Sequence, residues 1–277
     1  MVEVHSQVVL IMYHNFYYLC GLPRAGNTLL SSLMNQNPDI SVTANNVLGG
    51  LLVNSQLIKN SDVYQNFPDE RSVDNVTKNM FENYHSHWKS KNIISRGVWG
   101  MPDNLELLQK FNPNEIKIIV LVRDIKEILA SFIKFSYSNE TNFIAKNANT
   151  LRQRCDYVMA NGGELHHWIQ SVHNLTKPHN RKFIHLIEYN DLTNDIDKEM
   201  NKIYEYLNIK PFDHRYKDLD QLSNNGIQYN DSFIGGELHK INTFKVKKSE
   251  YDMNEYLPDN IDELYNMKSF WRQECLV

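Results

Sequence analysis

The residues between Gly21 and Thr28 form the stretch of this chain whose types and spacing are best suited to chemistry. They match the phosphate-binding pattern G-x-x-x-x-G-K-[ST] at every defined position except one, because Asn27 stands where the pattern has lysine. In such a loop, free backbone N–H groups and the start of the following helix hold a phosphate. The guanidinium of Arg24 and the hydroxyl of Thr28 would add side-chain donors. The sequence therefore predicts an anion site at this loop.

A second anion site is expected after the most apolar strand of the chain, Ile116–Val122. Arg123 follows this strand directly, and Asp124 is suited to cap the helix that begins at Ile125. Ser131 lies a little over two helical turns further on, on the same general side as the start of the helix. The side chains of Arg123 and Ser131 can approach one phosphate if the ligand lies along the helix. An arginine at a strand end is as often paired with a carboxylate, so the spacing alone leaves both interpretations open.

The elements around these sites alternate between strands and helices, which is typical of an α/β fold with a central, mainly parallel sheet flanked by helices. Ligands of open α/β sheets bind outside the carboxyl ends of the strands, so both anion sites are expected at one edge of the sheet. Strand patterns cover Asn15–Cys20, Ile40–Thr43, Asn92–Ser95, Ile116–Val122 and Phe183–Ile187. Helical patterns cover Asn27–Asn35, Asn46–Ile58, Glu70–Lys89, Pro102–Phe111, Ile125–Phe135, Asn149–Leu175 with a break at Gly162-Gly163, Asp195–Leu207, and a last helix near Asn260–Trp271. Loops are expected at 60–69, 188–192 and most of 210–249.

Length and composition limit the class of protein. With 277 residues and 42% hydrophobic content, the chain can bury one sizeable core. No repeat or linker is visible, so we expect a single domain over residues 1–277 with a helical cover at about 139–180. The formal net charge of −4 and the lack of a basic tract argue against a nucleic-acid partner. Any anionic ligand must therefore be held locally.

The cysteines and the apolar N-terminal segment indicate the compartment. Cys20, Cys155 and Cys275 show no C-x-x-C spacing, which favours a reducing compartment over a disulfide framework or a zinc site. The segment Val8–Cys20 is too short and too polar for a membrane span, because a histidine and an asparagine interrupt it. We therefore expect a cytoplasmic protein without a membrane span.

Three segments, in order and spacing, resemble the sulfotransferases that use 3′-phosphoadenosine 5′-phosphosulfate (PAPS). They are Pro23–Thr28, the strand and helix of Val120–Phe132, and Glu188–Leu192. The likeness runs from about Tyr17 to the last helix and implies the sulfotransferase variant of the P-loop NTPase fold. It also implies PAPS as the donor, bound without a metal. The residues implied are Pro23, Arg24, Ala25, Gly26, Asn27 and Thr28 for the 5′-phosphosulfate, and Arg123 and Ser131 for the 3′-phosphate.

The reaction implied by the resemblance is in-line displacement of a sulfuryl group by an acceptor hydroxyl or amine. It needs cations at the transferred group, for which Arg24, Arg96 and Lys245 are the candidates, and a base for the acceptor proton. The positions where relatives carry a glutamate or histidine base hold neither residue here. His239 is our candidate base, and the substitutes are His85, His87, His166 and His214, although a single histidine is more often structural.

The acceptor is expected to be a small molecule, a saccharide or a peptide, bound by the loops at 45–69 and 139–180. Trp88, Trp99 and Trp168 are candidates either for its pocket or for the core. Two other functions stay open. One is a P-loop nucleotide or small-molecule kinase with an altered Walker A loop, disfavoured because Asn27 replaces the lysine that reaches the β- and γ-phosphates. The other is a nucleotide-binding homologue without catalysis. The sequence carries no signal of oligomeric state.

Overall fold

The structure is a computed structural model that describes residues 14–273, with the backbone alone described for Gln273. The predictions for Cys275 and for the start of the segment Val8–Cys20 fall outside this range. Among the helices of residues 14–273, none combines the length and the apolar character that crossing a bilayer requires.

Within the described range, five parallel strands form a central sheet in the order β2-β3-β1-β4-β5. The strands are β1 (Asn15–Leu19), β2 (Ile40–Asn45), β3 (Asn92–Arg96), β4 (Ile118–Val122) and β5 (Ile184–Glu188). β1 pairs with β3 from Asn15 opposite Asn92 to Leu19 opposite Arg96, and β4 pairs with β5 over its whole length. All five residues of β4 are buried, which explains why this strand is apolar throughout rather than alternating. The expected parallel sheet is confirmed.

The strand order places a switch point at β1. The chain leaves β1, forms β2 and β3 on one side, and then forms β4 and β5 on the other side. Successive connections therefore run in opposite directions from the centre, and a crevice is expected between the loops that follow β1 and β4. Both anion sites predicted from the sequence come directly after these two strands.

The helices surround this sheet and include several short ones. Asp124 begins the helix after β4 by accepting the N–H groups of Lys126 and Glu127, and Thr150 begins a later one with a full capping box. The helices are α1 (Asn27–Met34), α2 (Leu48–Leu57), α3 (Asp62–Asn66), α4 (Glu70–His85), α5 (Pro102–Phe111), α6 (Ile125–Ser138), α7 (Leu151–Met159), α8 (His166–Thr176), α9 (Tyr189–Asn194), α10 (Ile196–Leu207), α11 (Met253–Tyr256), α12 (Ile261–Leu264) and α13 (Phe270–Gln273). A small antiparallel pair, β6 (Ser223–Asn224) and β7 (Ile227–Gln228), lies in the long late loop.

Three local predictions were wrong. The expected loop at 60–69 contains α3, because the Ser61 hydroxyl accepts the Tyr64 N–H and starts a short helix. The expected turn at 188–192 is largely the helix α9, and the last expected helix is divided into α12 and α13. The helical region 149–175 is broken as expected near Gly162, whose φ of 83° lies in the left-handed region that favours glycine.

Candidate functional site

A cavity of about 510 Å³ opens at the carboxyl ends of β1 and β4. Its walls come from the loop after β1, the start of α6, the region of α7 and α8, and the late segment 233–251. Ala25 is the one predicted site residue behind this wall, because it is fully buried. The predicted residues that line the cavity are Pro23, Arg24, Gly26, Asn27, Thr28, Arg96, Arg123, Ser131, His239 and Lys245.

The loop after β1 turns sharply through two residues in the left-handed region. Arg24 has a φ of 61° and Gly26 a φ of 91°. A Cβ atom at Gly26 would lie 2.8 Å from the Tyr189 ring, so the position requires glycine for both space and conformation. α1 begins directly after this glycine, and no side chain caps it. The N–H groups of its first turn therefore remain available to an anion.

Asn27 serves the loop itself. Its side chain is 2% exposed, and its amide nitrogen donates to the Leu22 carbonyl oxygen at 2.7 Å. The Asn27 Oδ1 atom is buried without a partner among the described residues. The lysine of an ATP-type loop reaches outward to phosphates, whereas this asparagine turns back toward β1 and stiffens the turn.

Arg123 joins three parts of the site. It is 3% exposed, and its Nε donates to Glu127 at 2.7 Å, its Nη1 to the Arg24 carbonyl at 3.2 Å and its Nη2 to the Ser249 carbonyl at 2.8 Å. Its guanidinium also lies 4.1 Å from the centre of the Tyr189 ring. Both interpretations of a strand-end arginine therefore hold, because it pairs with a carboxylate and also lines the cavity.

Ser131 connects Arg24 with the late segment. The Ser131 hydroxyl accepts from Arg24 Nε at 2.9 Å and from the Tyr251 hydroxyl at 3.0 Å. Although burial raises the pKa of Tyr251, the hydrogen bond to Ser131 and the charges of Arg123 and Arg24 bring it below its usual value. Burial lowers the pKa of Arg24, an effect that Tyr251 opposes and Arg123 reinforces. This end of the cavity is therefore strongly positive.

Arg96 supplies a third guanidinium at the end of β3. It is 5% exposed, and its Nη1 donates to the Tyr229 hydroxyl. Its Nε is buried and has no partner within residues 14–273. Burial lowers the pKa of Arg96, and Tyr229 opposes this only in part. An unpaired buried cation of this kind favours an anionic ligand.

His239 is held in one orientation by two contacts. Its Nδ1 donates to Asp231 Oδ1 at 2.6 Å, and the Asp231 carboxylate also accepts the His239 backbone N–H at 2.8 Å. The His239 ring stacks on Tyr229 with 3.8 Å between centroids and 3° between planes. Burial lowers the pKa of His239; Asp231 opposes this, and Arg96 and Arg24 add to it. With Nδ1 donating to Asp231, Nε2 is the ring nitrogen that can accept a proton.

The remaining candidates are more exposed or lie elsewhere. Lys245 is exposed and lines the cavity, while its backbone bridges to Lys217. His85 packs against Phe16, and His214 stacks on Tyr204. Among residues 14–273, the cavity lining includes none of the four substitute histidines, which are His85, His87, His166 and His214.

Part of the cavity lining is apolar and aromatic. This part of the lining consists of Phe132, Phe143, Tyr157 and Trp168, and Glu164 also lines the cavity. Of the three tryptophans considered from the sequence, Trp168 lines the cavity, while Trp99 is buried with its Nε1 donating to the Ser95 carbonyl oxygen at 2.7 Å. Trp88 packs against His85.

Sequence reasoning missed several residues of this site. Four of them belong to no recognisable motif, namely Tyr229, Asp231, Tyr251 and Glu164. A fifth, Tyr189, lies in the recognised segment Glu188–Leu192 but had no predicted role in the site. One weak signal exists, since Asp231 precedes the candidate base His239 by eight residues in the same loop. The other residues are brought in by chain segments that are remote in sequence.

The structure is similar to solved sulfotransferases at low sequence identity. A sulfotransferase domain from the curacin biosynthetic pathway is 14% identical, with a TM-score of 0.47 over 95% of this chain and 96% of that chain. A sulfotransferase domain from the Synechococcus PCC 7002 olefin synthase is 11% identical, with a TM-score of 0.47 over 96% and 89%. A mouse sulfotransferase, solved in complex with PAP, is 16% identical, with a TM-score of 0.45 over 72% and 60%.

No curated protein matches the sequence at a significant level. The family model described as the sulfotransferase domain matches residues 17–269, which is nearly the whole chain. That span contains the loop after β1, Arg123 with Ser131, and the whole wall of the cavity. This chain belongs to the sulfotransferase domain family.

Proposed function

We propose that the protein transfers a sulfuryl group from PAPS to an acceptor hydroxyl or amine. The observation that carries this proposal is the convergence of three guanidinium groups on one cavity at the switch point of the sheet, those of the buried Arg96 and Arg123 and of the half-buried Arg24. Buried cations are costly unless an anion accompanies them. The unpartnered Nε of Arg96 is a donor that an anionic ligand would satisfy.

The two halves of the donor fit different parts of the positive end. The loop after β1 and the first turn of α1 offer backbone N–H groups to the 5′-phosphosulfate. Arg123 and Ser131, tied to that loop through Arg24, suit the 3′-phosphate. In the late segment, Lys245 and Lys247 line this cavity. Lys247 and Lys248 line a neighbouring groove, which shares Arg24, Ser131 and Tyr251 with the cavity. No step in this arrangement requires the lysine that Asn27 replaces.

In the proposed reaction, an acceptor oxygen attacks the sulfur atom as the sulfur–oxygen bond to the 5′-phosphate breaks. The electron pair of that bond stays on the phosphate oxygen, and 3′-phosphoadenosine 5′-phosphate (PAP) leaves. In this proposal Arg96 and Arg24, which both line the cavity, stabilise charge on the transferred and leaving oxygens. His239 Nε2 takes the acceptor proton, because Asp231 holds Nδ1 as the donor and stabilises the imidazolium that forms.

A thermal-shift experiment on the full chain tests donor binding. PAP should raise the melting temperature without added Mg²⁺ and with EDTA present. If millimolar PAP gives no shift in a folded sample, the proposal fails. ATP with Mg²⁺ serves as the comparison, since a kinase would be stabilised by it in an EDTA-sensitive way.

A transfer assay then tests catalysis with PAPS labelled in the sulfuryl group. Label should move to a hydroxyl or amine acceptor, and PAP should appear in equal amount. A PAP-dependent thermal shift without transfer to any acceptor of a broad panel would instead identify a nucleotide-binding protein without catalysis.

A further inference from the structure

We propose that Tyr229 is a positioning residue that links the candidate base to a cation of the site, with its ring holding the His239 imidazole and its hydroxyl holding Arg96. The inference rests on the proposed sulfuryl transfer, in which the base and the cation must act on the same acceptor. Within the described range, Tyr229 does not belong to the lining of the cavity, whereas His239 and Arg96 do. Tyr229 therefore acts through these two neighbours.

A tight hairpin fixes the place of Tyr229. The strands β6 and β7 are joined by the two-residue turn Asn225-Gly226. Both turn residues have positive φ angles, 50° and 76°, which is the backbone of the tight turn that an Asn-Gly pair favours in hairpins. The Asn224 amide donates to the Val42 carbonyl oxygen of β2, and this anchors the hairpin to the strand that pairs with β3. Tyr229 directly follows β7, so the anchored hairpin carries it to the end of β3.

The ring of Tyr229 fixes the plane of the His239 imidazole. The two rings stack with 3.8 Å between their centroids and 3° between their planes. Asp231 accepts from Nδ1 of the same imidazole at 2.6 Å, so one face and one edge of the ring are held. An aromatic face also attracts a cation through its π-system. Tyr229 therefore stabilises the imidazolium that forms when Nε2 accepts a proton.

The groups that face His239 act on its charge in opposite directions. Burial lowers the pKa of His239, and the charges of Arg96 and Arg24 lower it further. The Asp231 carboxylate opposes them. The face of Tyr229 is a second neighbour that favours the charged imidazole. Loss of this face should therefore lower the pKa of His239.

The hydroxyl of Tyr229 holds the Arg96 guanidinium. It accepts from Arg96 Nη1, and among residues 14–273 it is the one hydrogen-bond partner of this guanidinium. Arg96 Nε has no partner in the same range, so it is left to an anionic ligand. A single side chain thus contacts both the base and the cation, and it sets the distance between them.

Titration of His239 by nuclear magnetic resonance in the full chain tests the ring and needs no acceptor. The signal is assigned by its absence in His239→Gln. Tyr229→Leu should lower the pKa of His239 by about 0.4–1.5 pH units, as the loss of a cation–π contact implies. Tyr229→Phe keeps a stacked ring, so this pKa should stay within about 0.3 pH unit of that in the unaltered protein.

Transfer kinetics with labelled PAPS and the acceptor that the transfer panel identifies test the hydroxyl. Tyr229→Phe should lower kcat about tenfold, because Arg96 loses a hydrogen bond, while the acid limb of kcat/KM stays in place. Tyr229→Leu should lower kcat and also move the acid limb to lower pH. PAP lacks the sulfuryl group, so its dissociation constant should change by less than about twofold in both variants.

Tyr137 provides the matched controls. It is exposed on α6, its ring lies 4.3 Å from the Arg154 guanidinium, and it is not among the described residues that line the cavity. Tyr137→Phe and Tyr137→Leu should leave the pKa of His239, kcat and the acid limb unchanged.

Three results overturn the inference. An unchanged pKa of His239 in a folded Tyr229→Leu variant would remove the role of the ring, and an equal fall of this pKa in Tyr229→Phe would assign the effect to the hydroxyl. An unchanged kcat in Tyr229→Phe would remove the link to Arg96, and this arm holds even if Tyr229→Leu does not fold. Failure of the proposed function looks different, because no label would leave PAPS while the titration would still report on the ring.

Discussion

Arg123 is the residue at which the proposed reading of the 3′-phosphate can be tested most directly. A guanidinium has five N–H donors, and three of them are used by Glu127, the Arg24 carbonyl and the Ser249 carbonyl. One N–H on each Nη atom therefore remains for a ligand, which allows a two-point contact with a phosphate. In Arg123→Ala both contacts are lost.

The expected loss follows from this count. We count the two-point contact once, at the about 1.5–3 kcal/mol of a hydrogen bond to a charged group, so the affinity for PAP should fall by at least about 13-fold to 160-fold. The assay is calorimetric titration of PAP and of adenosine 5′-phosphate, which lacks the 3′-phosphate. Arg123→Ala also releases the Ser249 carbonyl, and this will weaken both nucleotides to a similar extent. The test is therefore the ratio of the two dissociation constants.

Arg71→Ala is the control, because Arg71 is exposed on α4 and does not line the cavity. It should leave the ratio unchanged. The reasoning is refuted if Arg123→Ala, still folded by circular dichroism, weakens PAP and adenosine 5′-phosphate by the same factor. In that case Arg123 would hold the late segment in place without reading the 3′-phosphate.

Three further predictions concern groups with unusual surroundings. Asp231→Asn should lower the pKa of His239 further, because it removes the carboxylate that raises this pKa. The acid limb of the kcat/KM profile should then move to lower pH, and kcat should drop about tenfold or more. An acid limb that does not move would contradict the role of His239 as base. Arg96→Met removes a buried cation whose Nε has no partner among the described residues, so it should raise the melting temperature of the free protein. It should also lower kcat by about 10²–10³-fold. A lowered melting temperature would contradict the interpretation of Arg96 as an uncompensated buried cation. Burial brings the pKa of His85 to about 4, below the 6.5 of an unperturbed histidine, so its contribution to stability is present above about pH 6.5 and is lost as the pH falls toward 4. Urea unfolding at pH 7.5 and pH 5 should show a smaller loss of stability in His85→Gln than in the unaltered protein.

Much of the fold could be predicted because its signals are local. β4 is apolar at every position because it is covered on both faces, and Asp124 marks the start of α6 with a side chain that caps it. The short helices α3 and α9 were missed for the opposite reason. Five or six residues carry too little periodicity to separate a helix from a turn, and tertiary packing decides between them.

The cation candidates of the site could also be named from the sequence, but their relations could not. The strand ends place Arg96 and Arg123 at one edge of the sheet, which the order of elements already indicated. The hydrogen bonds of Arg24 to Ser131 and of Arg123 to Ser249 join positions separated by 107 and 126 residues. No local pattern reports contacts of that separation.

The sequence by itself indicated the sulfotransferase class through its resemblance to that family. It also determined the glycine-rich turn, the buried strand and the capped helix, because these follow from short-range sterics and hydrophobic burial. Only the tertiary structure decided what surrounds Asn27 and His239. Asn27 turns inward to a loop carbonyl, and Asp231 orients His239. Each of these states depends on neighbours that the folded chain brings together, and charge and desolvation act through distance in space rather than distance along the chain.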